Sequence, residues 1–180
     1  MGNAIADVIF GKVSPAGRLV QTWITSIDQL PPILDYNIRH GRTYMYNKDI
    51  PLFPFGYGLT YTSFKYSGLT ITGKSLKEDG EIDITFDIEN TGNFDSDEVP
   101  QLYVSFPESS VEMPARALKG FRRIFIARGA KVSVTLPLKA DDLRYWDAEK
   151  DRWTLPHGKV RFYIGPSSVE SRLEGEITTR

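Results

Sequence analysis

Period-two alternation of apolar and polar residues dominates the second half of the chain. In EIDITFDIEN, Ile82, Ile84, Phe86 and Ile88 fall on one face, and Asp83, Thr85, Asp87 and Glu89 on the other. VPQLYVSF repeats the pattern with Leu102, Val104 and Phe106, KVSVTLPL with Val132, Val134, Leu136 and Leu138, and KVRFYIG with Val160, Phe162 and Ile164. Successive side chains of a strand point to opposite faces, so these segments require a sheet with one buried face and one solvated face. FKYSGLTIT, ALKGFRRIFI, DLRYW and LEGEITT bring the total to about eight candidate strands, separated by turn residues such as NTG. The expected fold of residues 64–180 is an antiparallel β-sandwich of the immunoglobulin-like kind, with Greek-key connections.

The first 63 residues read differently. Ala4, Ile5, Val8 and Ile9 make a helical apolar stripe ending near Phe10, with Gly11 placed to stop it. RLVQTW suggests a strand after the turn at SPAG. Neither element has an evident partner in the next thirty or so residues, and one short helix cannot bury its stripe alone. Residues 1–23 therefore look like the end of some other domain. Residues 24–63 contain LPPILDY and PLFPFGYGLTYTSF, whose prolines and glycines predict an extended connector lying on another surface.

Composition narrows the function. With 22 basic against 23 acidic residues, the net charge of -1 gives no field to attract nucleic acid or an anionic membrane, and neither is expected as a partner. The absence of cysteine removes disulfides, thiolate catalysis and zinc-thiolate sites. The apolar run in MGNAIADVIFGK is too short and interrupted for a signal peptide or span, and Ala6 spoils a myristoylation pattern, so no targeting segment is expected.

No arrangement of residues predicts chemistry. The acidic groups Glu78-Asp79, Asp95 to Glu98, Asp141-Asp142 and Asp147-Glu149-Asp151 are expected as solvated turn carboxylates. DAEKDRWTLPHG has alternating acids, but Arg152 and Gly158 stand where a calcium loop needs Gly and Glu. His40 and His157 match no metal-binding spacing, and no nucleophile elbow or phosphate-binding loop is present. The expectation is no catalytic residue, no metal site and no cofactor.

Aromatic residues remain. Tyr57, Tyr61, Trp146 and Trp153 are candidates for stacking against the apolar faces of sugar rings, which would make polysaccharide a partner. The competing reading is packing, with Phe53, Phe55 and Tyr57 as a clamp and Gly56 and Gly58 admitting close backbone approach. An exposed apolar patch around Phe53, Phe55 and Tyr57 is expected unless the connector folds back on the sandwich or the chain self-associates.

In order and spacing, GNAIADVIFGKVSPAGRL, GRTYMY, PLFPFGYGLTYTSFKYSGL, EVPQLYVSF, ALKGFRRI and GKVRFYIGPSS resemble the C-terminal portion of family 3 glycoside hydrolases. The likeness is to β-glucosidases and β-xylosidases with a fibronectin type III-like domain. Val20 and Pro100 depart from the usual pattern, and Pro100 suits only a strand start or edge. The resemblance implies that residues 1–23 are the remnant of an α/β sandwich domain, and that the parent is a retaining β-glycosidase whose nucleophile and acid/base lie upstream of these segments. It implies a non-catalytic, stabilising role here, inactive alone, with the parent's catalytic domains as partner. A stand-alone carbohydrate-binding or oligomerisation module is the alternative. The family's substrates often lie outside the cytoplasm, so a periplasmic or secreted parent is in keeping, though the residues themselves name no compartment.

Overall fold

The computed structural model describes residues 2–180. Two short helices precede the sheets, α1 (Gly2–Ile9) and α2 (Thr43–Tyr46), with a single 3-10 turn at Ile27–Gln29 between them. The strands are β1 (Phe64–Ile71), β2 (Ser75–Leu76), β3 (Glu81–Asn90), β4 (Ser96–Glu98), β5 (Gln101–Ser105), β6 (Ala117–Phe121), β7 (Ile124–Ile126), β8 (Lys131–Lys139), β9 (Tyr145–Asp147), β10 (Arg152–Thr154), β11 (Gly158–Gly165) and β12 (Leu173–Thr179).

Strands β1, β3 and β8 form one antiparallel sheet, and β2, β12, β11, β5 and β6 form the other in that order. The predicted alternation is realised in β3, where Ile82, Ile84, Phe86 and Ile88 are all buried. Their cross-strand partners on β8 are Leu138, Leu136, Val134 and Val132, so two apolar faces are in register along the whole pair. Leu102, Val104, Val160, Phe162, Ile164 and Ile177 fill the core from the opposite sheet. Gly175 faces Phe162 in the ladder, and a Cβ there would lie 2.2 Å from the ring, so the glycine makes room for the aromatic.

The second sheet is closed by a long-range pair. Strand β12 runs parallel to β2, with Thr178 opposite Ser75 and Thr179 opposite Leu76, and the Arg180 amide donates to the Leu76 carbonyl at 3.0 Å. At the other end of the sandwich, buried Asn90 holds the NTG turn. Its Nδ2 donates to the carbonyls of Phe94 and Ile126, at 2.7 and 2.9 Å, while its Oδ1 accepts from the Gly92 amide at 3.2 Å.

Several expectations are corrected. ALKGFRRIFI is not one strand, because the chain leaves the five-stranded sheet after Phe121 and β7 pairs instead with β4. Strand β4 lies within the acidic run expected as a turn. DLRYW contributes only the short β9, which pairs with β10 in a hairpin outside both large sheets. RLVQTW is no sheet strand; its pairing is with the connector. As expected of one short helix, the apolar stripe of α1 stays unburied, since no residue of that helix is buried. Pro100 stands immediately before β5, where the missing amide costs no ladder bond, and its carbonyl accepts from Arg122 at 3.3 Å.

Candidate interdomain surface

The two ends of the N-terminal region form a backbone ribbon. The Leu19 amide donates to the Tyr57 carbonyl at 2.8 Å, and the Gly56 amide returns a bond to the Leu19 carbonyl at 2.8 Å. Four residues further along, the Trp23 amide donates to Phe53 at 2.8 Å, and Leu52 donates to Trp23 at 2.8 Å. Neither segment alternates cleanly, so the pairing leaves no period-two signature in the sequence.

This ribbon is fastened to the sandwich at Gln101, a buried amide at the start of β5. Its Nε2 donates to the carbonyls of Gly56 and Pro166, at 3.2 and 2.6 Å, while its Oε1 accepts from the Tyr103 hydroxyl. Gly56 has φ of 83°, and a Cβ there would sit 2.0 Å from Gln101 Oε1. Only glycine meets both demands. At Gly58 a Cβ would sit 2.2 Å from the Gly17 carbonyl oxygen, so the two glycines of FGYG serve contacts on different sides of the strap.

Phe55 turns inward. Its ring stacks on Tyr44 of α2 with centroids 4.4 Å apart, and Tyr44 meets Tyr103 edge-on at 5.9 Å. The Tyr44 hydroxyl accepts from the Leu118 amide of β6 at 3.0 Å, and the Ser168 amide donates to the Phe55 carbonyl at 2.9 Å. Burial pushes the Tyr44 and Tyr103 hydroxyls above the ordinary tyrosine range, so both stay neutral and available as hydrogen-bonding groups.

A buried ion pair reinforces the joint. Arg18 Nη2 lies 3.0 Å from Glu98 Oε1, with side chains only 11% and 4% exposed. Glu98 Oε1 also accepts from the Val99 amide at 2.9 Å. The acidic run expected to be solvated is therefore part of the joint. Asp95 accepts from the Arg128 amide at 2.7 Å, and Asp97 pairs with Arg123 Nε at 2.6 Å. The nearby Tyr66 hydroxyl is held well above its ordinary pKa, first by burial and then by the Glu98 carboxylate. Ser14, Thr60 and Ser96 complete the contact with hydroxyl bonds of 3.0 to 3.3 Å.

What remains open is an apolar groove of about 740 Å³ lined by Pro15, Leu19, Trp23, Phe53, Tyr57 and Leu59. Trp23, Phe53 and Leu59 are exposed there, and the Phe53 and Tyr57 rings lie 5.1 Å apart. The patch expected around Phe53, Phe55 and Tyr57 is thus divided: Phe53 and Tyr57 face the groove, whereas Phe55 is taken up by Tyr44. The helix α1 exposes Ile5 and Ile9 as well.

The stacking candidates do not converge. Tyr57 lines the groove, and Tyr61 instead holds α1 through a 2.9 Å bond from its hydroxyl to the Val8 carbonyl. Trp146 and Trp153 stand directly opposite one another on β9 and β10, with ring centroids 5.8 Å apart. His40 pairs with Asp35 at 2.7 Å, and among the described residues no three His, Cys, Asp or Glu side chains are grouped to hold a metal. The residues that sequence reasoning missed are Arg18, Glu98 and Gln101. For Glu98 the available signal was its place next to Val99-Pro100, an apolar run that had to enter a sheet.

Two family descriptions match the chain: "Glycosyl hydrolase family 3 C-terminal domain" over residues 1–61, and "Fibronectin type III-like domain" over residues 98–168. Probable beta-glucosidase D of Aspergillus niger is 33% identical over 99% of the chain and 27% of its own length. Thermostable beta-glucosidase B of Acetivibrio thermocellus is 33% identical over 98% of the chain and 25% of its own length. Among solved structures, the beta-D-glucoside glucohydrolase of Trichoderma reesei superposes with a TM-score of 0.88 at 30% identity, covering 99% of this chain and 29% of that one. The beta-glucosidase of Kluyveromyces marxianus, solved with glucose, gives 0.88 at 32% identity, covering 99% and 23%. The chain spans about a quarter of the length of the curated relatives it matches.

Proposed function

We propose that this chain, which belongs to the family 3 glycoside hydrolases through their C-terminal domain and fibronectin type III-like domain, docks that β-sandwich onto the catalytic domains of a β-glucosidase and stabilises them. The observation that carries this reading is the open apolar groove between residues 15–23 and 53–59. Its walls are fixed to the sandwich by the Arg18–Glu98 pair and by Gln101, so the groove is a rigid surface. An apolar surface of this kind favours burial against a partner. The partner proposed is the part of a family 3 enzyme that precedes these segments, because the relatives extend to about four times the matched length.

In this role the chain supplies no nucleophile or acid/base. It sets the position of a ribbon that the catalytic part packs against, and glycosidic bond hydrolysis takes place on the partner's carboxylates. The test is complementation. A family 3 β-glucosidase lacking its C-terminal quarter is mixed with this chain, and association and hydrolysis of an aryl β-glucoside are followed. Complex formation with a gain in activity is expected, and Trp23→Asp or Leu59→Asp should abolish both. Absence of association, or hydrolysis by this chain alone, would overturn the proposal.

A further inference from the structure

A second surface, sharing no residue with the apolar groove, is built for a different kind of ligand. Trp146 and Trp153 are 50% and 61% exposed, although a hairpin this short could place small polar residues at both positions. Directly opposed residues of an antiparallel pair project on the same face, so the two indoles make an angled aromatic ledge, the planes 76° apart and one ring edge-on to the other. The ledge is held in shape by its own turn. Asp147 Oδ1 accepts from the Glu149 and Lys150 amides at 3.2 Å each, and Lys150 Nζ closes on Asp147 Oδ2 at 2.8 Å.

Trp146 lines a cleft of about 590 Å³ that Arg39 and Tyr46 of the connector also line, and Trp153 lies outside that lining, packed edge-on against Trp146. Five polar side chains along it, Arg39, Tyr46, Ser110, Glu112 and Glu149, form no hydrogen bond or ion pair with another described residue. They present donors and acceptors in mixture. The charged lining is nearly balanced, with Arg39, Lys119, Arg144 and Lys150 against Glu112, Asp147 and Glu149, so neither an anion nor a cation is selected.

We infer that this cleft binds a neutral oligosaccharide, a sugar ring stacking on the Trp146 indole that Trp153 holds in place edge-on, while its hydroxyls bridge the donors and acceptors along the cleft. Hydroxyl groups both donate and accept, which suits a mixed, charge-balanced lining. The apolar face of a pyranose suits the exposed face of an indole. The inference goes beyond the docking role and does not depend on it, since the groove and the cleft are separate.

The test is titration of the complete 180-residue chain with cellohexaose and, separately, xylohexaose, read by tryptophan fluorescence and by amide chemical shifts. At least one of the two is expected to bind saturably with Kd of about 1 mM or tighter, shifting amides of residues 110–113 and 146–153. Trp153→Ala should weaken binding by about tenfold or more, while Trp23→Ala, which alters the third tryptophan, leaves it unchanged. If Trp153→Ala fails to fold, Arg39→Ala removes an exposed cleft group without touching the core and should weaken binding by about threefold or more. No saturable response to either hexasaccharide at about 20 mM, stronger binding of an acidic polyuronate, or undiminished binding by a folded Trp153→Ala protein would overturn the inference.

Discussion

Arg18 and Glu98, 80 residues apart in sequence, meet at 3.0 Å in a largely buried site. One belongs to the segment after α1 and the other to β4, so this buried pair is one of the contacts that join the N-terminal region to the sandwich. Removing one partner leaves the other buried without its counter-charge. Arg18→Met or Glu98→Leu alone is expected to lower unfolding free energy by about 3–5 kcal/mol, whereas the double variant should lose clearly less. Urea unfolding of all four proteins tests this, and additive losses would show that the charges act independently.

Gly58 tests the close approach within the strap. A methyl group 2.2 Å from the Gly17 carbonyl cannot be accommodated by side-chain movement, so Gly58→Ala should separate residues 15–19 from 57–59. Limited proteolysis is expected to cut residues 24–50 faster in the variant, with the sandwich from residue 64 onward surviving. Equal cleavage rates would mean the ribbon does not depend on that glycine.

Tyr44 is joined to β6 by its hydroxyl as well as by its ring. Tyr44→Phe leaves the Leu118 amide without its acceptor and should cost about 1–2 kcal/mol. Tyr46, on the same short helix, has no such bond, and Tyr46→Phe should lie within about 0.5 kcal/mol of the parent. Thermal unfolding of the two variants side by side distinguishes the hydroxyl contribution from the aromatic one.

Acid should loosen the three-stranded sheet through Asp87. The hydrogen bond from Lys131, 2.7 Å away, is the main influence holding the Asp87 carboxyl below its usual value, and Lys131 is raised in turn. A depressed folded-state pKa favours folding above the unfolded value of about 4, and that contribution is lost as pH falls through the lower folded value. The raised Lys131 contributes below its unfolded value, near 10.5, and its contribution is lost as pH rises through the folded one. Lys131→Met is therefore expected to lose stability at neutral pH and to show a shallower decline between about pH 4 and pH 2. Denaturant midpoints at several pH values check the sign, and parallel pH curves for the two proteins would remove the pair from the acid response.

The sandwich was legible because its information is local. The alternation in β3, β8, β5 and β11 names the buried face outright, and Ile84 and Phe86 lie where that pattern puts them. The strap was legible only in part. Proline and glycine in PLFPFGYG announce an extended, closely packed segment, but its ribbon partner lies about thirty to forty residues away and shares no periodicity with it. Glu98 was misread for a related reason. A carboxylate in an acidic run looks solvated until an arginine from the far end of the chain is brought beside it, and no local pattern encodes that meeting. The tryptophan ledge depended on register: nothing in the sequence says that residues 146 and 153 face each other until β9 and β10 are paired.

The parallel pairing of β2 with β12 sets an order on biosynthesis. Ser75 and Leu76 leave the ribosome early, yet their ladder partners are residues 178 and 179, so the edge they form stays unpaired until roughly a hundred further residues are made. The sheet of β1, β3 and β8 can close well before then, since its last strand ends at Lys139. A nascent chain paused between those two points would carry one finished sheet and the raw edge of another, and that interval is when a chaperone has something to protect.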